Sequence, residues 1–111
     1  MSTITISLTA KKQMPEDEMW DLITGNPWFE WVQEAELNDG VFTLAMDDPE
    51  NQDAWITQSY TITDVINGIG RIPTNTPWGE ELMKGFLDED LDMNMQDCFW
   101  QFMLFNEIVY G

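Results

Sequence analysis

Asp88, Asp90, Asp92 and Asn94 alternate in the pattern by which an EF-hand loop presents oxygen ligands to calcium. The rest of that ligand rule fails: the turn glycine needed at the sixth position is Met93, and the bidentate glutamate needed at the twelfth is Phe99. Starting the register at Asp90 puts Met95 and Gln101 there instead. The string therefore reads as a solvated acidic loop followed by a helix cap. Paired carboxylates also do acid–base work in glycoside hydrolysis, but that requires a substrate cleft and one carboxyl of raised pKa, and crowding raises carboxyl pKa values wherever acids gather. No spacing singles out such a pair. Ser7 and Ser59 have no histidine partner, because the chain has no histidine, and Gly68-Ile69-Gly70 lacks the lysine of a phosphate loop. Cys98 is the only cysteine, which excludes an intramolecular disulfide and a cysteine-based zinc cage. With these players missing, the chain is expected to be a non-enzyme holding no metal and no cofactor.

What the sequence does supply is negative charge. Its 111 residues include 21 Asp or Glu and 4 Lys or Arg, a formal net charge of −17. Lys11, Lys12, Arg71 and Lys84 cannot build the positive stripe that phosphate contacts need, so neither nucleic acid nor an anionic membrane is an expected direct ligand; a charged partner should be basic. No apolar run approaches the ~20 residues of a membrane span, and the first residues lack a basic start followed by an apolar stretch, so a cytoplasmic protein is expected. Apolar residues make up 43% of the chain, with 6 Trp, 6 Phe and 8 Met, whereas disordered acidic chains are poor in aromatics. One folded domain spanning 1–111 is expected.

The elements that must carry these acids follow from periodicity. Ile4, Ile6 and Leu8 alternate with Thr3, Thr5 and Ser7 as in a half-buried strand over Met1–Leu8. Pro15-Glu16-Asp17-Glu18 suits a helix start, Met19, Trp20, Leu22 and Ile23 give that helix an apolar side, and Gly25 is placed as a left-handed stop. A strand is expected over Trp28–Leu37, with Glu30, Glu34 and Glu36 on its outer face, then a hairpin at Asn38-Asp39-Gly40 into Val41–Met46. Residues 47–53 read as a polar breaker before a third strand over Ala54–Thr61. A short helix should start near Thr63-Asp64. Thr76-Pro77 caps another, carrying Leu82, Met83, Phe86 and Leu87, and Asp92 caps a last one whose apolar arc includes Met95, Cys98, Phe99, Phe102 and Met103. A helix that apolar is buried or shared with a second subunit. Residues Asn106–Gly111 read as a final extended piece. The fold class is α+β: an antiparallel sheet of three or four strands with two to four helices on one face.

A compact chain of this length has a radius of gyration near ~13 Å, hence a diameter of roughly 34 Å. Duplex DNA places about 20 charges in that span, at one per ~1.7 Å. An acidic, histidine-free domain of roughly a hundred residues resembles the DNA-mimic inhibitors that bacteriophages and mobile elements use against restriction or CRISPR systems. The resemblance covers the composition of the whole chain and no motif, so it carries over no functional residue. It implies an acidic inhibitor that occludes the basic groove of a DNA-binding protein. The residues expected to meet the partner are Glu30, Glu34 and Glu36, the segment with Asp47, Asp48, Glu50 and Asp53, and the region with Glu80, Glu81, Asp88, Glu89, Asp90 and Asp92. Trp28, Trp55 and Trp78 are either exposed anchors of that surface or caps on the core edge. Two other readings stand beside this one: an immunity protein or antitoxin fitted to one cognate basic toxin, and a structural protein that forms a homodimer or larger assembly through the Met93–Phe105 helix.

Overall fold

The computed structural model describes residues 3–7, 11–48 and 50–106. Strands β1 (Thr3–Ser7) and β2 (Lys11–Pro15) form an antiparallel pair that aligns Ile4 with Met14 and Ile6 with Lys12. The first strand thus has the expected alternation, Ile4 and Ile6 buried and Thr3 and Thr5 exposed, but its partner is a strand to which the sequence pattern assigned no element. Helix α1 (Glu16–Thr24) follows, with Glu16, Asp17 and Glu18 in its first turn, where the unpaired N–H groups favour negative charge. Gly25 at its end is not left-handed, having φ −77°; a Cβ there would run into the carbonyl oxygen of Asp21.

A meander of β3 (Val32–Asn38), β4 (Val41–Asp48) and β5 (Asn51–Thr61) forms a second, separate sheet in the order β3-β4-β5. Its first hairpin turns at Asp39 and Gly40, both at positive φ (51° and 78°), the primed turn that matches strand twist. The strand expected from Trp28 begins only at Val32; residues 28–31 are a loop and turn that fold back onto the core. A bulge between Val32 and Glu34 then resets the alternation. The expected polar breaker at 47–53 is largely strand: Asp47 and Asp48 end β4, and Asn51 opposite Asp48 begins β5. Asp47 pairs with Trp55, so residues 52–54 of β5 bulge out with no position opposite them on β4.

Helix α2 (Ile62–Gly70) opens with a capping box between Thr61 and Asp64, slightly earlier than expected. In α3 (Pro77–Asp88) Thr76 is the N-cap and accepts from the Gly79 N–H; in α4 (Met93–Phe105) Asp92 does the same for Met95. Helix α4 is buried in this chain's own core: Gln96, Phe99, Trp100, Gln101, Phe102 and Met103 are all inaccessible or nearly so. Trp100 is the hub, with ring centroids 4.7 Å from Phe42, 5.3 Å from Phe99 and 5.4 Å from Tyr60, and its indole N–H donates to Ile23 O at 2.8 Å. These contacts place the helices against the face of the meander carrying Phe42, Leu44 and Met46. The opposite face, with Glu34, Glu36, Thr57 and Ser59, is open to solvent, as antiparallel sheets allow. Asn106, expected to begin an extended piece, instead caps α4 at φ 59°; the rest of that piece, 107–111, lies outside the described residues, as do residues 1, 2 and 8 of the expected first strand. The Cα radius of gyration is 13.6 Å and the extents are 41 × 34 × 21 Å, so the molecule is longer in one direction than a 34 Å sphere.

Candidate protein-binding surface

The structure distributes the expected acids over three places. On the open face of the sheet, Glu34 and Glu36 of β3 stand opposite Ala45 and Thr43 of β4, and with Thr57 of β5 they surround a shallow depression. Ala45 is only 4% exposed although it lies on this face, because it is too short to rise above its neighbours. Thr43 and Ser59 hydroxyls meet at 3.1 Å on the same face.

At the end of the sheet, Glu30, Asp47, Asp48, Glu50 and Asp53 gather where β3 begins and β4 turns into β5. Asp47 accepts from Gln33 Nε2 at 2.7 Å and gives its own N–H to Trp31 O at 2.9 Å. Asp48 bonds the N–H of Glu50 at 2.8 Å, so part of its charge is committed to the turn. Trp31 donates its indole N–H to Asp97, fastening the start of β3 to α4. Burial raises the Asp97 carboxyl above its ordinary value, while the hydrogen bonds from Trp31 and Gln101 pull the other way.

The third place joins segments far apart in sequence. Glu18 and Asp21 of α1 face Glu89 and Asp90 of the α3–α4 connection across a cleft of about 600 Å³, which Leu22, Gly25, Asn26 and Leu91 complete. Sequence reasoning missed Glu18 and Asp21 as members of a surface. It also missed Gln96, whose buried amide accepts from Asn26 N–H at 2.9 Å and donates to Asn26 O at 3.0 Å, while Asn26 Nδ2 donates to Leu91 O at 2.8 Å. These bonds fix the distance between α1 and the acidic connection. Lys12 Nζ adds a second tie from β2, donating to Leu87 O at 2.9 Å and lying 3.5 Å from Glu89 Oε2. It supplies the cation that the C-terminal end of α3 lacks in its own last turn. Glu80, Glu81, Asp88 and Asp92 are exposed along α3 and at the start of α4, with Asp92 occupied as a cap.

The three tryptophans differ. Trp28 stacks on Phe42 at 5.9 Å and Trp78 lies 5.7 Å from Phe102, so both cap the core edge. Trp55 alone of the three is an exposed ring, 58% accessible on the solvent face of β5. Its local sequence alternation could have shown the outward direction, but not that Phe42 and Phe102 would cover the other two.

Among the described residues, no group of three or more Asp, Glu, Cys or His is placed to hold a metal ion. Burial pushes the Cys98 thiol up, and the charges of Asp97, Glu81 and Asp92 push it further. No described helix is long and apolar enough to cross a membrane. Comparison with protein-family models, with curated proteins and with solved structures finds no match to this chain.

Proposed function

We propose that the protein is a non-enzymatic, DNA-mimicking inhibitor that occupies the basic nucleic-acid groove of a host defence protein or other DNA-binding protein, acting in the cytoplasm of a bacterial cell. The observation that carries this reading is the charge balance on a folded surface. Four cations can neutralise at most four of 21 acids by one-to-one pairing, leaving at least 17 carboxylates. Spread along the 41 Å axis, a net charge of −17 amounts to one charge per about 2.4 Å, against one per ~1.7 Å of duplex DNA. Solubility alone calls for a far smaller excess, roughly 2–8 charges on a small domain.

The mechanism is occlusion. Long-range attraction to a lysine- and arginine-lined groove accelerates encounter, and short-range contacts set the release rate. The groove is then filled by a body that cannot be cleaved or unwound. Both association rate and affinity fall as salt rises, because the charges are solvent-exposed and screened within ~10 Å at 0.1 M. The test is displacement: labelled duplex DNA bound to each of several unrelated basic proteins is challenged with the inhibitor over a salt series. Salt-sensitive release of DNA from more than one of them supports mimicry. Release from one protein alone points to an immunity function, and salt-insensitive or absent release removes the proposal.

A further inference from the structure

We infer that the outer edge of β5 pairs with β5 of a second copy of this chain, joining two three-stranded sheets into one of six strands. The inference goes beyond the inhibitor reading and does not depend on it. Asn38 and Val41 flank a two-residue turn and form a hydrogen-bonded pair, so the odd-numbered residues of β4 direct their N–H and C=O groups toward β3. The bond from Asp47 N–H to Trp31 O follows the same parity. Phe42, Leu44 and Met46 therefore bond Tyr60, Gln58 and Ile56, while Trp55, Thr57 and Ser59 turn their backbone groups away from β4 to the outer edge. Among the described residues, no group bonds the backbone of these three. On either side the edge is closed: Asp53 N–H donates to Asn51 Oδ1 at 3.2 Å, and Thr61 N–H donates to Asp64 Oδ2 at 2.8 Å. What stays open is symmetric about Thr57, as a two-fold contact requires. Antiparallel pairing centred there sets Thr57 against Thr57 and Trp55 against Ser59, each pair exchanging two main-chain bonds. Exposed edges are ordinarily blunted by charge, proline or bulges. The β3 edge has Glu34, Glu36 and the bulge after Val32, whereas Ala54–Thr63 has neither charge nor proline in a chain of net charge −17. A basic strand from another protein would find no carboxylate within that run, and a second copy sets no carboxylate directly opposite another within it. Long-range repulsion between two anionic bodies opposes the contact, and it is screened within ~8 Å at 0.15 M salt against ~30 Å at 0.01 M.

Sedimentation velocity over a micromolar-to-millimolar concentration series, at about 0.15 M and about 0.01 M salt, provides the test. The wild type should reach twice the monomer mass at the higher salt and dissociate at the lower, the opposite sign to capture by a basic groove. Thr57→Pro removes an N–H that makes no bond within the chain, and edge strands tolerate proline at such positions. Losing the two bonds at the two-fold axis should weaken self-association about tenfold or more. Thr57→Glu and Thr57→Lys each place like charges opposite one another and should weaken it about two- to fivefold, and mixing the two should restore the wild-type value at unchanged total charge. That mixture decides the matter if the proline variant fails to fold. A monomer at both salts, association that strengthens as salt falls, or variants that associate like the wild type would each overturn the inference; a monomer would leave the edge to a strand of another protein.

Discussion

Replacing Gln96 with leucine tests whether a buried amide holds the acidic cleft in shape. The side chain is 1% exposed and makes two reciprocal hydrogen bonds with the backbone of Asn26. Leucine is similar in size but leaves the N–H and C=O of Asn26 without that partner. Each buried group stranded in this way costs about 1–3 kcal/mol, and the half-buried setting of Asn26 favours the low end. Replacing an amide by an apolar group in the core returns part of this, so the net loss should be about 2 kcal/mol. For a domain of this size that lowers Tm by roughly 8 °C. Urea unfolding followed by circular dichroism gives the global loss; hydrogen exchange at the Asn26 amide should accelerate beyond what that loss explains. Gln96→Glu keeps the acceptor but buries a charge, so it should be worse at neutral pH and recover on acidification. A loss below ~0.5 kcal/mol for Gln96→Leu, far under the usual penalty for a stranded group, with normal exchange at Asn26, would refute the reasoning that this amide sets the cleft.

Three further outcomes follow from buried groups and close approaches. Because burial raises the Asp97 carboxyl, the folded state binds its proton more tightly than the unfolded chain, and stability falls as pH rises from the ordinary carboxyl value through the raised one; the urea midpoint of Asp97→Asn should therefore gain on wild type over that window, and a gap that does not change with pH would contradict it. Tyr60 is pushed up to about 12, first by burial and then by Asp64, with Arg71 opposing, so in a Tyr110→Phe background phenolate absorbance should appear near 12 rather than 10, and stability should fall between those values. A Cβ on Gly85 would stand 2.5 Å from Leu91 Cδ2 and 2.9 Å from Asp90 O, so Gly85→Ala should cost about 1–3 kcal/mol in denaturation and displace the acidic connection, whereas Gly70→Ala, with open space around it, should be neutral or stabilising.

The parts of the fold legible in the sequence are those fixed by neighbours along the chain. Asn38-Asp39-Gly40 specifies its own turn, and Thr76-Pro77 and Asp92 satisfy helix N–H groups within three residues. The missed strand β2 has no such signature: Lys11-Lys12-Gln13-Met14-Pro15 is strand because β1 pairs with it, and Met14 is its buried apolar residue. Trp28, Phe29 and Trp31 mimic strand alternation only because the loop they occupy wraps the core, and the bulge after Val32 cannot be seen in a two-residue period. The acids were recognisable as surface residues and, within one segment such as Asp47 to Asp53, as a group, but groupings between distant segments were not. Glu18 and Asp21 meet Glu89 and Asp90 through hydrogen bonds joining Asn26 to Gln96 and Leu91, and nothing local encodes a contact between residues so far apart.

The central position of α4 has a consequence for biosynthesis. It is the last described element, yet its side chains reach back across 66 residues to Trp31, 70 to Asn26 and 77 to Ile23. A nascent polypeptide that has emerged only as far as Asp92 carries both sheets and three helices but lacks the Trp100 ring on which Phe42, Phe99 and Tyr60 converge, while its carboxylates already repel one another. Contacts of such sequence separation form late and slowly. Prematurely ended translation products should therefore be protease-sensitive chains, and the ordered anionic surface should arise in one step once α4 inserts.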